Sequence, residues 1–298
     1  MGTMRSGMVG LAGRPNVGKS TLLNALIGTK ISITSPRPQT TRHRILGIDT
    51  SDEGQVIYVD TPGLSGDRRS ALNQYLDRVS RSMLPAMDCV LFLISAEGWT
   101  PADEHVLTLL RDLSVPVILV INKIDRIKRH EQLLPLIAQF STKWHFSEIV
   151  PVSARRRKNI DELRRTVLRL MPQQPPIYPD DQLTDRSLRF LSAERIREQI
   201  FRLTGQELPY SSAVEVSDFK ETNKIVRIDA TIWVEKMGQK AILIGKQGGR
   251  LKNIGERARH DIEKLTGKRV YLRTWVKVRQ NWSDDQRMLK DLGYDQDS

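Results

Sequence analysis

The sequence predicts an α/β protein in which a doubly wound sheet is followed by a second, smaller α+β domain. Three observations lead to this prediction. Apolar runs of strand length alternate with helical patterns over residues 7–172, a glycine-rich loop connects the first run to the first helical pattern, and a proline-rich stretch follows the last one. Such alternation is typical of a parallel sheet with helices on both faces. A chain of 298 residues is also longer than one compact core usually accommodates.

The domain limits follow from these patterns. We expect a first domain over residues 1–172, a linker over residues 173–180, a second domain over residues 181–279 and an acidic tail over residues 280–298. The prolines at 172–179 exclude a helix or a central strand, so the linker is expected to be semi-rigid.

Each element of the first domain is predicted from its hydrophobic periodicity. Because ligand-binding loops lie at the carboxyl ends of the strands in such sheets, those loops are where functional residues are expected. Strands are predicted at residues 7–12, 43–49, 55–60, 88–95, 115–121 and 148–152, and helices at residues 19–28, 68–84, 102–113, 130–143 and 159–170.

The first of these loops has the residues of a phosphate-binding loop. It reads GRPNVGKS, which fits the pattern G-x-x-x-x-G-K-[ST] between a strand and a helix. Glycines let successive backbone N–H groups point at phosphate oxygens, and the helix N-terminus adds partial positive charge. Lys19 is expected at the β- and γ-phosphates, and the Ser20 hydroxyl on Mg²⁺. The predicted nucleotide-binding residues are Gly13, Arg14, Pro15, Asn16, Val17, Gly18, Lys19, Ser20 and Thr21.

The next loop, residues 32–44, is polar and contains Thr40 and Thr41. A threonine hydroxyl in a loop is either a capping group or, behind a phosphate-binding loop, a Mg²⁺ ligand that orders the loop when a γ-phosphate is bound. Both interpretations stay open from the residues alone.

The predicted strand at 55–60 ends in Asp60. A carboxylate at the tip of a strand beside a phosphate-binding loop is expected to hold Mg²⁺ through water. The N–H of Gly63 is expected at the γ-phosphate. The nucleotide-binding residues predicted for this loop are Asp60, Thr61, Pro62, Gly63 and Leu64.

The predicted strand at 115–121 is followed by a sequence that distinguishes purine bases. The Asp125 carboxylate can accept two parallel hydrogen bonds, from N1–H and from the 2-amino group of guanine. Adenine lacks the 2-amino group, and the wrong base would leave the carboxylate half unpaired, which is a steep penalty. The backbone of Ser153-Ala154 is placed to reach the guanine O6. The predicted base-binding residues are Asn122, Lys123, Asp125, Ser153 and Ala154.

In this order the motifs resemble the translation-factor class of P-loop GTPases over residues 7–172. The resemblance implies GTP and GDP as ligands with Mg²⁺, and switch regions near residues 32–44 and 60–82. It also implies that Ser20, Asp60 and either Thr40 or Thr41 hold the magnesium ion. The residues to which catalysis is assigned are Lys19, Asn16, Thr40, Thr41 and Gly63.

One departure affects the mechanism. Ras-like enzymes have a water-orienting glutamine where this chain has Leu64, and leucine cannot orient water. The form GRPNVGKS followed by such a hydrophobic residue is similar to bacterial GTPases that use K⁺, bound in part by the asparagine of the loop. We therefore expect Asn16 to contribute to a K⁺ site.

The second domain is predicted to have the element order αββααβ. Residues 236–279 hold thirteen basic and three acidic residues, a net charge of +10 within a chain of net charge +12. A cationic block of this kind is either a solvated face or a nucleic-acid surface. The predicted elements are a helix at 185–203, strands at 213–220 and 225–234, a short helix around Lys240, a helix at 249–265 and a strand at 269–278.

The loop Gly245-Lys246-Gln247-Gly248 between two helices, inside this cationic block, resembles the GXXG loop of a KH domain of type II. The resemblance implies that the loop clamps single-stranded RNA. Trp233 and Trp275 fall in strand patterns and are expected in the core or half-buried, whereas Trp282 lies past the last strand, where it either stacks on a base or is buried. The predicted RNA-binding residues are Lys240, Gly245, Lys246, Gln247, Gly248, Arg250, Lys252 and Trp282.

The whole arrangement is similar to bacterial ribosome-assembly GTPases. It implies a GTPase that binds 16S rRNA near its 3′ end and assists assembly of the 30S subunit or its precursor. The single cysteine, Cys89, and the absence of an apolar run of membrane-spanning length predict a cytoplasmic protein. A monomer is expected, and peripheral association with the membrane stays open. The alternatives are an RNA-binding scaffold or chaperone whose nucleotide site only senses its ligand, and an ATP-driven RNA remodeller.

Overall fold

The computed structural model describes residues 4–35, 37, 40–62, 83–205 and 208–292. The chain forms two compact units. Among the described residues, the second unit comprises residues 33–40 together with those from Arg186 onward, and the first unit comprises the rest up to Asp185. The contacts therefore group residues 173–180, predicted as a linker, with the first unit.

The first unit is built on a six-stranded sheet of order β2-β3-β1-β4-β5-β6. Strand β2 is antiparallel to β3, and the other neighbouring strands are parallel. This arrangement confirms the predicted fold class. The strands are β1 Arg5–Ala12, β2 Ile45–Ser51, β3 Gly54–Asp60, β4 Cys89–Ser95, β5 Val117–Asn122 and β6 Glu148–Pro151.

The helices of this unit alternate with the strands, as the periodicity predicts. Strand β2 begins and ends two residues later than predicted, because its antiparallel pairing continues to Ser51 opposite Gly54. The predicted helix at 68–84 falls largely on residues 63–82, outside the described part of the chain. The helices are α1 Lys19–Ile27, α2 Pro101–Leu110, α3 Leu133–Ser141 and α4 Ile160–Leu170, with single 3₁₀ turns at Leu84–Ala86, Ile124–Arg126 and His130–Gln132.

The centre of this sheet is fully covered. Every residue of β4 and β5 is buried, as expected for parallel strands with helices on both faces. Cys89 is buried in β4, and burial raises the pKa of its thiol to about 12, which favours the protonated thiol over the reactive thiolate.

The segment after α4 lies against the first unit. The buried side chain of Gln55 accepts hydrogen bonds from the backbone N–H groups of Ile177 and Tyr178, at 2.8 and 2.9 Å, and donates to the Tyr178 carbonyl. The N–H of Ile48 donates to the Leu183 carbonyl. Residues 173–185, all of which the structure describes, form neither a helix nor a named strand, and these contacts pair backbone groups of Ile177, Tyr178 and Leu183 instead.

The second unit has the predicted order αββααβ around a three-stranded sheet of order β7-β8-β9. Strand β7 is antiparallel to β8, which is parallel to β9. Apolar side chains of both strands and helices, such as Ile196, Ile228 and Ile254, form its core. The elements are α5 Leu188–Leu203, β7 Ser212–Glu221, β8 Ile225–Val234, α6 Met237–Ile244, α7 Gly249–Thr266, β9 Arg269–Val278 and α8 Gln286–Asp291.

The tryptophans of this unit reverse two predictions. Trp282, predicted to bind RNA, is completely buried, and its indole N–H donates to the Ser211 carbonyl at 3.0 Å, so its ring is not available for stacking. Trp275, expected in the core or half-buried, is 42% exposed on the surface of β9. Trp233 is half-buried, as expected.

Among the described residues, no helix has the length and apolar character needed to cross a bilayer.

Candidate nucleotide and RNA sites

The phosphate-binding loop follows β1 and precedes α1, as predicted. Its backbone takes left-handed or related conformations at three positions, with φ of 150° at Gly13, 64° at Asn16 and 104° at Gly18. A Cβ atom on Gly18 would lie 2.4 Å from Nδ2 of Asn122, so the loop requires glycine there for space as well as for conformation. Asn16 is exposed on the loop.

Asn122 connects three of the predicted motifs. Its Nδ2 donates to the Val17 carbonyl at 2.8 Å, and its Oδ1 accepts from the backbone N–H groups of Lys123 at 2.8 Å and Ala154 at 3.1 Å. One buried amide therefore fixes the phosphate-binding loop against the base-binding loop and the Ser153-Ala154 turn. This is a positioning role that the sequence does not reveal, because the motif alone suggests a base contact.

The predicted base-reading carboxylate is oriented by a neighbouring hydroxyl. The Ser153 Oγ donates to Oδ1 of Asp125 at 2.5 Å, and Asp125 itself is exposed at the end of the loop. Lys123 adopts a left-handed conformation with φ of 65°, and its ammonium group lies 3.4 Å from Glu97. Ser95 and Arg126 also contact Glu97, and their hydrogen bonds lower the pKa of that carboxyl group to about 2.

Lys19 is almost completely buried below the phosphate-binding loop. Its Nζ donates to the carbonyls of Gly13 at 3.0 Å and Arg14 at 3.4 Å. Burial lowers its pKa to about 8, and the charge of Asp60 opposes this shift. An ammonium group with so little solvation is favourably placed to neutralise phosphate charge.

Oxygen atoms gather around Asp60. The Ser32 Oγ donates to Oδ2 of Asp60 at 3.0 Å, and the hydroxyls of Ser20 and Thr41 lie 2.7 Å apart. Burial raises the pKa of Asp60, and Lys19 and the three hydroxyls oppose this shift. Within the part of the chain that the structure describes, Oδ1 of Asp60 is buried without a hydrogen-bond partner.

These donors fit a magnesium ion. Hydroxyl and carboxylate oxygens are the ligands that Mg²⁺ prefers, and a cation would satisfy the buried Oδ1 and keep the carboxyl group ionised. Of the two candidate threonines, Thr41 has its hydroxyl beside Ser20, whereas the Thr40 hydroxyl donates to the Arg37 carbonyl at 2.8 Å. Ser32 is a further member of this cluster that the prediction did not single out.

Other predicted residues of the nucleotide site are placed as follows. Thr61 is buried, and its hydroxyl lies 3.4 Å from the Leu11 carbonyl. The guanidinium group of Arg14 contacts both carboxylate oxygens of the buried Asp103 at 3.1 Å, which ties the loop to the first turn of α2. Gly63 and Leu64 lie outside the described residues.

The predicted RNA clamp lies between α6 and α7. Gly245, Gln247 and Gly248 have φ of 71°, 50° and 76°, so three of the four loop residues lie in the left-handed region. The side chains of Lys246 and Gln247 are exposed at its tip. Arg250 donates to the Ile242 carbonyl, which closes the turn from within.

A cleft extends from this loop between α7 and β9. It has a volume of about 620 Å³, and its lining includes Leu251, Gly255, Leu272 and Thr274. Lys252 and Arg259 supply positive charge at its side, and the lining also includes the acidic Glu256, so its charged residues carry a net charge of +1. The cleft joins an apolar floor to a cationic rim, which is an arrangement suited to bases and phosphates of an unpaired strand.

The comparisons with known proteins agree with both units. A family model described as 50S ribosome-binding GTPase matches residues 8–123, and a KH domain model matches residues 207–283. The GTPase Era of Stenotrophomonas maltophilia is 50% identical over 289 residues, which is 97% of each chain. The GTPase Era of Xanthomonas campestris is 50% identical over 291 residues, or 98% of each chain.

Two solved structures are similar over 98% of this chain and 99% of theirs. One is a tyrosine-to-alanine variant of Aquifex aeolicus Era bound to GDP and aluminium fluoride, with a TM-score of 0.94 and 42% identity. The other is Era in complex with MgGDPNP and nucleotides 1506–1542 of 16S ribosomal RNA, with a TM-score of 0.93 and 42% identity. Half of the residues are thus shared with the curated relatives along almost the entire chain, and the chain belongs to the Era family of GTPases.

Proposed function

We propose that this GTPase is a switch in which the bound nucleotide controls how the KH unit binds 16S rRNA near its 3′ end, and that it assists assembly of the 30S subunit. The related complex supports the choice of RNA, since that Era holds MgGDPNP together with nucleotides 1506–1542 of 16S rRNA. The cationic loop and cleft of the second unit support RNA binding by this chain.

One hydrogen bond is the main support for the proposed coupling between the bound nucleotide and RNA binding. The Nη2 of Arg197, on the first helix of the second unit, donates to the Thr40 carbonyl at 2.5 Å. That carbonyl belongs to the peptide bond that leads directly to Thr41, whose hydroxyl lies beside Ser20. A change in the position of Thr41 on nucleotide hydrolysis would therefore be transmitted through the Thr40 carbonyl to Arg197 on α5.

Two further contacts hold the same segment. Arg37 donates to the carbonyls of Thr204 at 2.6 Å and Gly205 at 2.8 Å, just past the end of α5. Arg197 itself is fixed by two hydrogen bonds to Glu194, at 2.7 and 2.6 Å. Arg37 and Thr40 thus belong with the RNA-binding unit by their contacts, although they precede a predicted magnesium ligand.

Substitution Arg197→Lys tests this coupling. Lysine keeps a positive charge beside Glu194 but loses the guanidinium fork that reaches the Thr40 carbonyl. We expect the ratio between RNA affinities in the GDPNP-bound and GDP-bound states to fall about 5-fold or more towards unity. Fluorescence anisotropy with a labelled RNA of the 16S rRNA 3′-end sequence measures both affinities. Reciprocity requires an equal change in the effect of that RNA on nucleotide affinity.

The matched control is Arg189→Lys on the same helix, since Arg189 donates to the carbonyls of Val216 and Ser217 within the second unit. It is expected to leave the ratio unchanged. An Arg197→Lys protein with the full nucleotide dependence would contradict the proposed route.

Within the nucleotide site, we propose that Ser20, Thr41 and Asp60 hold Mg²⁺, which neutralises charge on the phosphates when bound. Lys19 neutralises the β- and γ-phosphates from below the loop, and the backbone N–H groups between Gly13 and Gly18 point at their oxygens. Asp125 accepts hydrogen bonds from the base. These assignments rest on the clustering of the same side chains in the described structure.

We also propose that K⁺ assists hydrolysis through Asn16. The exposure of Asn16 on the left-handed turn of the loop leaves its side-chain oxygen accessible to an ion beside the phosphates. Replacement of Na⁺ by K⁺ at constant ionic strength is expected to raise the single-turnover rate about 10-fold, and Asn16→Ala to remove that increase. Equal rates in the two salts would exclude the ion from the mechanism.

The proposed setting is a monomer in the cytoplasm that acts on the 30S subunit or its precursor, and peripheral association with the membrane remains part of the hypothesis. The rival function is an RNA-binding scaffold with a weakly hydrolytic nucleotide site. Single-turnover GTP hydrolysis with and without the 3′-end RNA separates the two, because only a switch changes its hydrolysis rate or nucleotide affinity with RNA.

A further inference from the structure

The outward side of β9 carries only cations and aromatic rings. Side chains alternate between the two faces of a strand, and the five that point away from the helices are Arg269, Tyr271, Arg273, Trp275 and Lys277. Tyr271 is 53% exposed and Trp275 is 42% exposed. Two large rings thus lie in solvent on one face of one strand, about 13 Å apart at the usual rise of a strand.

The neighbouring strand extends this surface. In the parallel register of β8 and β9, Trp233 lies opposite Lys277, and Arg227 lies opposite Tyr271. The Lys277 Nζ is 5.6 Å from the centroid of the Trp233 ring, and the Arg273 guanidinium is 5.3 Å from that of Trp275. We call this surface, formed by the outward residues of β9 with Arg227 and Trp233, the aromatic face.

The outward acidic side chains of this sheet lie on strands other than β9. The outward carboxylates are on β7 and β8, namely Glu215, Asp218 and Asp229, and none of the ten described residues of β9 is acidic. Asp229 is paired with Arg273 at 2.5 Å, whereas further cations of the same surface extend along β9 to both of its ends. The aromatic face therefore attracts anions rather than cations.

Protection of an edge strand explains part of this pattern. Charged residues on an edge strand prevent pairing with other chains, and β9 is an edge of the sheet. That role does not require exposed tyrosine and tryptophan rings, which favour aggregation unless a partner covers them. Rings interleaved with cations fit unpaired RNA, because free bases stack on the rings while phosphates contact the cations.

The position of β9 connects this surface to the cleft. Leu272 and Thr274 line the cleft on the helix side of β9, and Tyr271 and Trp275 alternate with them on the other side. Since β9 is the edge strand, a strand of RNA that leaves the cleft can continue around this edge onto the aromatic face. A KH loop holds only about four nucleotides of backbone, so a longer RNA has further nucleotides that can bind outside the cleft.

We propose that the aromatic face is a second RNA-binding surface, which binds the unpaired nucleotides adjoining those held in the cleft by stacking on Trp275 and Tyr271. The proposal rests on the RNA-binding function proposed above and adds a site that the GXXG loop does not provide. Arg269 and Lys277, which lie towards the two ends of the same strand, contact the phosphates of the same stretch.

The test compares two fluorescein-labelled unpaired RNAs on the full chain loaded with GDPNP. One has about six nucleotides and fills the cleft alone, and the other has about 20 nucleotides and also reaches the aromatic face. Trp275→Ala is expected to weaken binding of the long RNA about 10-fold and to change binding of the short RNA less than about 2-fold. Trp275→Phe, which keeps a ring, is expected to retain most of the affinity.

Two controls separate this proposal from the proposed function. Lys220→Ala removes an exposed cation of the same sheet at the β7 edge and is expected to leave both affinities unchanged. Lys246→Glu in the GXXG loop is expected to lower the affinity for both RNAs. If Lys246→Glu leaves the affinity for both RNAs unchanged while Trp275→Ala lowers the affinity for the long one, RNA binding by the GXXG loop is contradicted. RNA binding by the aromatic face is then still supported.

The proposal is overturned if Trp275→Ala and the double variant Tyr271→Ala/Trp275→Ala bind the long RNA as tightly as the parent protein. It is equally overturned if Trp275→Ala lowers the affinity for both RNAs to the same extent, since that result indicates a general effect on the unit. Unchanged RNA binding together with lost binding of a ribosomal protein would assign the aromatic face to a protein partner instead.

Discussion

Substitution Asp125→Asn is expected to lower the affinity for GTP by a factor of about 100 or more, because an amide cannot accept both N–H groups of guanine. The variant should remain folded, since the Oδ1 of asparagine still accepts the hydrogen bond that Ser153 donates to Asp125 at 2.5 Å. Its affinity for xanthosine triphosphate should rise, because the side-chain NH₂ can donate to the 2-oxo group. Competition with labelled GTP, ATP and xanthosine triphosphate measures all three affinities.

Arg126→Gln provides the control for this experiment. It alters an exposed neighbour that contacts Glu97 rather than the base-reading carboxylate. Its purine preference should equal that of the parent protein. Undiminished GTP affinity in the Asp125→Asn protein would remove Asp125 from the base site, and a preference for ATP in the parent protein would favour the ATP-driven remodeller.

Substitution Gly18→Ala is expected to abolish measurable nucleotide binding, with a loss of about 100-fold or more in affinity, and to lower Tm. The added Cβ would lie 2.4 Å from Nδ2 of Asn122, which donates to the Val17 carbonyl. The side chain of Asn122 must move, and its bonds to the phosphate-binding loop and to Ala154 are lost together. Isothermal calorimetry with GDP and thermal unfolding measure the two effects.

Gly98→Ala is the matched control. Gly98 also has a positive φ, of 133°, but a Cβ there meets none of the described atoms within 4 Å. The variant Gly98→Ala therefore measures the effect of conformational strain alone. We expect a modest fall in its Tm and a nearly unchanged nucleotide affinity. Equal losses of nucleotide affinity in the two variants would show that Asn122 does not position the phosphate-binding loop.

Prediction from the sequence succeeded for the positions of the elements and of the contiguous motifs between them. The phosphate-binding loop and the loop of Asn122 and Asp125 each follow a strand whose apolar residues are consecutive or interrupted only by glycine near its end, and the positions of those strands are determined by local pattern. The structure places both loops together because parallel strands bring their carboxyl ends to one edge of the sheet. The order αββααβ of the second unit was predicted for the same reason.

Prediction failed where burial depends on distant residues. Trp282 has no periodic neighbours, and the partner of its buried indole N–H is the carbonyl of Ser211, which is distant in the sequence. Trp275 lies in an alternating strand, and the pattern placed it on the same side as Arg273 and Lys277, which was a signal that this side is open. Arg197 resembles an ordinary solvent-exposed helical residue, yet only 2% of it is exposed.

The sequence by itself determined the α/β class, the nucleotide, the GXXG loop and the concentration of positive charge, because each depends on the chemistry and spacing of neighbouring residues. Only the tertiary structure decided that Asn122 braces the phosphate-binding loop, that Arg197 holds the peptide before Thr41 and that β9 presents its rings to solvent. These three features depend on which surfaces of separate elements meet. Periodicity indicates that an element has two faces, but it does not indicate what covers each of them.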